Sequence, residues 1–410
     1  MTMQILHPPE SLDHAPVWLG EMIEWAHALG ATDVHLFPST DGGRLWVRLN
    51  GDLQEICSYS VDLHTRMVSR LKVLGRCTDY TGAPIQEGRF GLNGVSRGGE
   101  ARLSIIPTLQ GEKAVIRLLA GENRKLELDQ LGFGEELRSA LRSAMDLPQG
   151  LLLAVAPSGC GKSTALYALL ADLHARQSRP VSIVTLEDPV EQSLPFAAQV
   201  NIEAERGLTF GAGLRAILRQ DPEVILIGEI RDAETSRAAL EAALTGHRIL
   251  SSMHTLNAAE ALARLMQMGS PPYIIASALA GILNVRLLRL CCEHCKTART
   301  PEPLEAERMR RMLGQTPEKI AATKGCERCL DSGVGGRTGV GEWLTPTAAM
   351  PQALGEGRPT PEIQKTLRIV ASAQQEIMRL LTDLQIAPME LAQLTGMSSL
   401  ETPPSGECES

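Results

Sequence analysis

A chain of 410 residues has room for two to three domains, and 43% hydrophobic residues can build their cores. Forty basic against 48 acidic residues leave a net charge of −8, so no global basic field points to a nucleic-acid partner. The longest apolar run, 274–283, is interrupted by Ser277 and stops at Asn284, too short to span a bilayer. The N-terminus, with His7, Glu10 and Asp13, has neither the charged n-region nor the h-region of a signal peptide, so the expected location is the cytoplasm.

Residues 1–15 show little periodicity and read as an N-terminal tail. Leu19, Met22, Ile23, Ala26 and Leu29 share one face of a helix over 17–29, which Gly30 closes. Strands follow at 34–37 and 45–49, joined by Asp41-Gly42-Gly43. A second helix at 65–74 and strands at 88–92, 100–106 and 114–119 complete a small α+β domain over 16–120. Residues 121–133 are expected to be a linker.

From Gly134 strands alternate with helices, the pattern of an α/β fold. The strands are 151–155, 181–186, 224–227 and 249–253. Thr209 can cap a helix over 210–218, Asp232 one that runs to Leu244, and Asn257 with Glu260 form a capping-box pattern closed by Gly269. The alternation predicts a mostly parallel, doubly wound sheet, with ligands at the carboxyl ends of its strands. This domain is expected over 134–394. Residues 300–315 and 360–384 read as further helices, and 395–410, with Pro403, Pro404 and scattered acids, as a disordered tail.

The strongest chemical signal follows the strand 151–155. A loop, Ala156-Pro157-Ser158-Gly159-Cys160-Gly161-Lys162-Ser163, leads into Leu166, Leu169, Leu170 and Leu173 at helical spacing. Strand, glycine loop and helix together make a phosphate-binding loop for ATP. Gly159 and Gly161 let backbone N–H groups close on a phosphate, and the positive helix end favours the anion. The expected cradle is Pro157, Ser158, Gly159, Cys160, Gly161, Lys162, Ser163 and Thr164. Lys162 would reach the outer phosphates and Ser163 would ligate Mg²⁺.

The other strand ends are also polar. Val224-Ile225-Leu226-Ile227-Gly228-Glu229 is a Walker-B strand with Gly228 in the place of the usual aspartate, which leaves Glu229 as the base that orients a water. Glu187, at a neighbouring strand end, would complete the metal or water site, with Asp188 and Glu191 as supporting residues. His254 would sense the γ-phosphate; His247 also reads as part of a plain helix terminus.

Nine cysteines stand at 57, 77, 160, 291, 292, 295, 326, 329 and 408. Cys292 and Cys295, then Cys326 and Cys329, form two C-x-x-C knuckles that supply four thiolates to a tetrahedral, structural Zn²⁺. Cys291 is a fifth thiol that can substitute in register, and His294 is a weaker candidate ligand.

With these residues assembled, the chain resembles the hexameric ATPases of type II secretion and type IV pilus assembly, over roughly residues 32–343. Asp33, His35 and Pro38 match the family's N-terminal-domain motif, as do Gln86-Glu87-Gly88-Arg89-Phe90 and the run from Arg102 through Pro107 and Gly111 to Glu112. Residues 185–191 resemble its Asp box, 228–232 its Walker B and 245–255 its His box. The knuckles with Gly336-Arg337-Thr338-Gly339 resemble the metal module of the assembly motors. Two places depart from the pattern: Ala156 replaces a glycine, and the His box reads His254-Thr255-Leu256-Asn257.

The resemblance implies a PAS-like domain before a RecA-like P-loop ATPase domain that carries a small zinc-binding insertion at 291–330. It implies a homo-hexameric ring with nucleotide between the two domains, and arginines of the first domain, Arg89, Arg102 and Arg117, reaching the phosphates. The implied function is ATP hydrolysis that powers a type IV pilus or a type II secretion pseudopilus through an inner-membrane platform protein and a cytoplasmic adaptor, with peripheral membrane association. Two alternatives accompany it: a low-turnover ring subunit or regulator, and a pilus retraction motor, whose relatives generally lack the cysteine module.

Overall fold

The computed structural model describes residues 7–9, 11–77, 84–92, 99–118 and 127–401. The chain divides into two compact units, 1–125 and 126–410.

In the first unit, helix α1 (Ala15–Ala28) precedes the antiparallel strands β1 (Asp33–Ser39), β2 (Gly42–Leu49) and β3 (Asp52–Tyr59). Helix α2 (Val61–Leu74) follows, then β4 (Gln86–Gly91), β5 (Glu100–Thr108) and β6 (Gly111–Leu118). The sheet order is β3-β2-β1-β6-β5-β4, antiparallel throughout. Leu19, Met22 and Ile23 of α1 and Met67, Val68 and Leu71 of α2 are buried with Val34, Leu36, Leu45, Val47, Ile105 and Ile116 of the sheet. Strand β3 was not expected, because its residues are almost all half-buried and show no clean alternation. Helix α2 begins earlier than expected, because the Ser60 hydroxyl accepts from the Leu63 N–H and caps it there.

The second unit opens with α3 (Glu135–Met145), β7 (Gly150–Val155), α4 (Lys162–Arg176), β8 (Ile183–Glu187) and β9 (Ala198–Asn201). Then come α5 (Phe210–Ile217), β10 (Val224–Ile227), α6 (Ala233–Leu244), β11 (Arg248–Met253), α7 (Ala258–Gln267) and α8 (Pro272–Ala278). Strand β12 (Leu279–Cys291) leads into a small hairpin, β13 (Lys296–Arg299) and β14 (Ile320–Thr323), which brackets helix α9 (Pro303–Leu313). The chain returns through β15 (Val334–Pro346) and β16 (Leu367–Ala371).

Eight of these strands form one mixed sheet, β16-β15-β12-β7-β11-β10-β8-β9. The pairings from β12 across to β9 are parallel, and β12-β15 and β15-β16 are antiparallel. Leu151, Leu153 and Val155 of β7 enter one hydrophobic layer, and Leu152 and Ala154 the other. Both sheet faces are thus covered, as the near-continuous apolar runs require.

The structure corrects two sequence expectations here. The stretch 360–384, read as helices, carries strand β16 in its middle, paired with β15. In the stretch read as the start of a disordered tail, Gly396, Met397, Ser398 and Leu400 are buried. Apolar side chains spaced among polar ones find a groove there that composition does not reveal. Of the expected linker, Leu128 and Phe133 are also buried, while residues 121–126 lie outside the described residues.

Candidate nucleotide site and tetracysteine centre

The loop after β7 meets α4 at Gly161, whose φ of +90° and neighbour Gly159 at +75° are left-handed conformations that glycine adopts without strain. Ala156 is absent from the positive-φ residues and is fully buried, so its methyl is accommodated without backbone strain. Cys160 is half-buried against the core, its sulfur 3.9 Å from the Ser158 carbonyl. No acid occupies the first turn of α4, so nothing there opposes an anion at its positive end. Ser163 and Thr164, on that turn, are half-buried.

Lys162 is buried, and its ammonium donates to the carbonyls of Ala156 (2.8 Å) and Pro157 (3.1 Å) and to His254 Nδ1 (3.1 Å). A lysine only donates, so Nδ1 is the acceptor and the imidazole carries its proton on Nε2. That Nε2 lies 3.3 Å from Glu229, which also pairs with Arg231. Ser158 Oγ stands 3.1 Å from the same Nδ1. Burial first, and then the Lys162 charge, hold the His254 pKa below its usual value, so the neutral ring assigned here is also the favoured one. Burial likewise pulls the Lys162 ammonium down. Three residues distant in sequence, Lys162 at the start of α4 and His254 and Glu229 just past β11 and β10, thus form one chain.

Glu187 stands apart from this chain. It is buried, and its carboxylate accepts from Tyr167 of α4, from Thr185 Oγ1 (2.5 Å) and from Gln199 Nε2 (3.2 Å). Period-two alternation sends Thr185 and Glu187 to the side of α4. Asp188 is exposed, 3.9 Å from Arg231. Glu191 is exposed and gives its N–H to Tyr167 Oη (3.4 Å). His247 bonds to the Ala242 carbonyl (3.1 Å) and serves the helix terminus. The sequence did not single out Tyr167 or Arg231; an aromatic hydroxyl on an otherwise apolar helix was the available signal for the first.

In the first unit, antiparallel register sets Arg89 opposite Arg102 and Arg102 opposite Arg117. Asp33 pairs with Arg117 at 2.9 Å. These residues line a cleft of about 630 Å³. Arg102 Nε is buried without a hydrogen-bond partner among the described residues.

Cys292, Cys295, Cys326 and Cys329 bring their sulfurs within 4.8 Å of one another. Three of the separations are 3.9, 3.9 and 3.7 Å. Four thiolates at ~2.3 Å from a tetrahedral ion stand about 3.8 Å apart, so the set fits Zn²⁺. A disulfide would require about 2.05 Å. Cys291 is outside the group, buried at the end of β12 with its pKa pushed up to about 11 by burial. His294 is also outside it, its ring accepting from Arg328.

Among the described residues no helix is long and apolar enough to cross a membrane. Comparison with known proteins places these features. The type II secretion system protein E of Pectobacterium carotovorum subsp. carotovorum is 38% identical over 333 residues, 80% of this chain and 66% of the relative. The type II secretion system ATPase E of Vibrio cholerae is 37% identical, over 82% of this chain and 66% of its own length. The type IV pilus assembly ATPase PilB of Thermus thermophilus is 35% identical, over 88% of this chain and 40% of its own. The chain therefore spans just under two thirds of the first two relatives and less of the third. In fold it is similar to the ATPase DotB of Yersinia pseudotuberculosis (TM-score 0.69, 18% identity, 95% of each chain). It is also similar to the pilus retraction motor PilT (TM-score 0.55, 23% identity, 94% of this chain and 96% of that one). The model of the type II/IV secretion system protein family matches residues 10–386, and the chain belongs to that family.

Proposed function

We propose that this chain is a subunit of a homo-hexameric ATPase motor that powers assembly of a type IV pilus or a type II secretion pseudopilus. It would act on an inner-membrane platform protein with a cytoplasmic adaptor, held peripherally at the inner face of the plasma membrane. The observation that carries this reading is the chain Lys162–His254–Glu229 beyond the ends of three adjacent parallel strands. Residues 16–120 are read as the PAS-like domain, 134–394 as the RecA-like domain and 291–330 as the zinc module.

In this reading residues 157–164 cradle the phosphates of ATP. Lys162 exchanges its carbonyl partners for phosphate oxygens and neutralises charge developing on them. Glu229 accepts a proton from the attacking water as its oxygen bonds to the γ-phosphorus and ADP leaves. Neutral His254 holds Glu229 through Nε2–H and reports on Lys162 through Nδ1, so filling the lysine's side is felt at the base. Mg²⁺, held by the Ser163 hydroxyl, would screen the β- and γ-phosphate charge. Glu187 carries three neutral donors, and one lone pair remains on its carboxylate for a metal-bound water. Arg89 and Arg102, side by side, supply guanidinium groups to the transferring phosphoryl. Zn²⁺ on the four thiolates would be structural, since all four positions are filled by protein.

The test is phosphate release by the purified, assembled chain with MgATP, against Lys162→Ala. Clear turnover that Lys162→Ala abolishes supports the motor. Release no faster than Lys162→Ala, with ATP still bound, rejects it in favour of the low-turnover regulator.

A further inference from the structure

We infer that residues 395–398 fasten the loop that carries His254, and that Arg286 is the positioning residue through which they act; this rests on the nucleotide-site reading above. Strand β12 lies beside β7 with Asn284 opposite Val155, so Arg286, two residues on, is level with the phosphate loop. A Cβ on Gly161 would stand 3.5 Å from the neighbouring Leu287.

Arg286 is only 2% exposed. One guanidinium nitrogen donates to Asn284 Oδ1 (2.7 Å) and the Val285 carbonyl (2.9 Å). The other donates to the Leu256 carbonyl (2.5 Å) and the Thr395 carbonyl (2.9 Å). Leu256 is two residues beyond His254, and its N–H is taken by Glu260 at 3.0 Å. The catalytic loop is therefore gripped at one residue, Leu256, through both its N–H and its carbonyl. A planar guanidinium cannot move toward one of these carbonyls without leaving the other.

The C-terminal side is equally specified. Asn284 Nδ2 donates to the Gly396 carbonyl (2.9 Å) and to Glu342 (3.0 Å), and the Ser398 N–H donates to Glu342 (2.7 Å). Glu342 is fully buried. Gly396 has φ +85°, and a Cβ there would stand 2.6 Å from the Leu256 carbonyl and 3.2 Å from Arg286 Nη2. Only glycine lets the segment approach the loop this closely. Thr395, Gly396 and Ser398 are thus tied to the loop through one buried cation and two buried polar side chains, and any shift of the segment is passed to the backbone that sets His254 against Glu229.

The experiment compares the full chain with a chain ending at Leu394, a chain ending at Glu401, and Gly396→Val, which remains informative should the shorter chain misfold. Readouts are kcat and KM for ATP, affinity for a fluorescent ATP analogue, thermal midpoint, and hydrogen exchange at amides 254–257. Ending at Leu394 and Gly396→Val should each lower kcat about tenfold or more, as misplacement of a catalytic group does. Nucleotide affinity should stay within about twofold, because Lys162 and the phosphate loop are not displaced. Exchange at 254–257 should rise, and ending at Glu401 should change nothing. An unchanged kcat on ending at Leu394, or kcat and affinity lost together in step with the folded fraction, overturns the inference. A full chain with no turnover refutes the motor reading instead; unchanged exchange at 254–257 would then still overturn the fastening, and raised exchange would support it.

Discussion

Replacing Glu229 by glutamine should stop hydrolysis and leave ATP binding intact. The carboxylate is 13% exposed, accepts from His254 Nε2 at 3.3 Å and pairs with Arg231, whose side chain is 57% exposed. Among the described residues it makes no hydrogen bond or close ion pair with Lys162, so the groups that meet the phosphates keep their places. The amide keeps the shape and one acceptor oxygen but cannot take a proton from water. Loss of such a base costs about 10²–10⁴-fold, or roughly 3–5 kcal/mol at 1.36 kcal/mol per tenfold. The folded state loses only a half-exposed ion pair, about 0.2–1 kcal/mol, so the thermal midpoint should fall by at most a few degrees, at about 2–4 °C per kcal/mol. Phosphate release at saturating MgATP measures the first quantity, a fluorescent ATP analogue the binding, and calorimetry the fold. Hydrolysis near the wild-type rate would refute the role given to Glu229. Lost nucleotide affinity would refute the claim that it stands apart from the phosphate contacts.

Metal analysis of freshly purified protein should find one zinc per chain, lost in Cys295→Ser and in Cys329→Ser and retained in Cys291→Ser, whose sulfur lies outside the group; protein without metal removes the assignment. Tyr167→Phe leaves the buried Glu187 carboxylate one donor short, a cost of about 1–3 kcal/mol that a thermal scan resolves; an unchanged midpoint would show that the bond contributes nothing. Because the His254 pKa is held below 6.5, its neutral form persists to lower pH than in a free imidazole. Its contribution to stability is complete above about pH 6.5 and is lost as pH falls through the folded value. The acid limb of kcat/KM should therefore lie below pH 6.5 and disappear in His254→Asn; a limb above pH 6.5, or one that survives the substitution, contradicts this.

Local physics made much of the second unit legible. Thr209, Asp232 and Asn257 cap their helices as expected, accepting from Ala212, Thr235 and Glu260 N–H groups, because a cap is decided within four residues. The capping box is altered in one bond: Glu260 reaches the Leu256 N–H. Strand β12 was illegible for the opposite reason. It carries Asn284, Arg286 and Arg289, which argue against a buried strand until Glu342 and Glu390 arrive from 58 and 101 residues away. Such compensation is a property of the assembled sheet and leaves no local trace. The tetracysteine group was legible because C-x-x-C spacing fixes ligand geometry directly, whereas the partners of Glu187 were not, because a strand-end acid has two faces to choose between.

The arginines of the first unit were named one at a time by resemblance, yet their physical meaning comes from register. Arg89, Arg102 and Arg117 lie on three strands that antiparallel pairing brings side by side. Asp33 pairs with Arg117 at 2.9 Å and with Arg48 at 3.9 Å, and among the described residues no ion pair joins Arg89 or Arg102 to an acid, so these two remain as adjacent like charges. Such a pair directly across two strands costs about 0.2–1 kcal/mol, and the buried Nε of Arg102 without a partner adds to that cost. A sheet selected for stability alone would set an acid or an apolar residue at one of these places. A fold that instead holds two guanidinium groups against their mutual repulsion, with a donor already stripped of water, is prepared for an anion. Under the proposed function, that preparation would raise the worth of each charge toward a phosphoryl group, since reorganisation would be met in folding and not in the reaction.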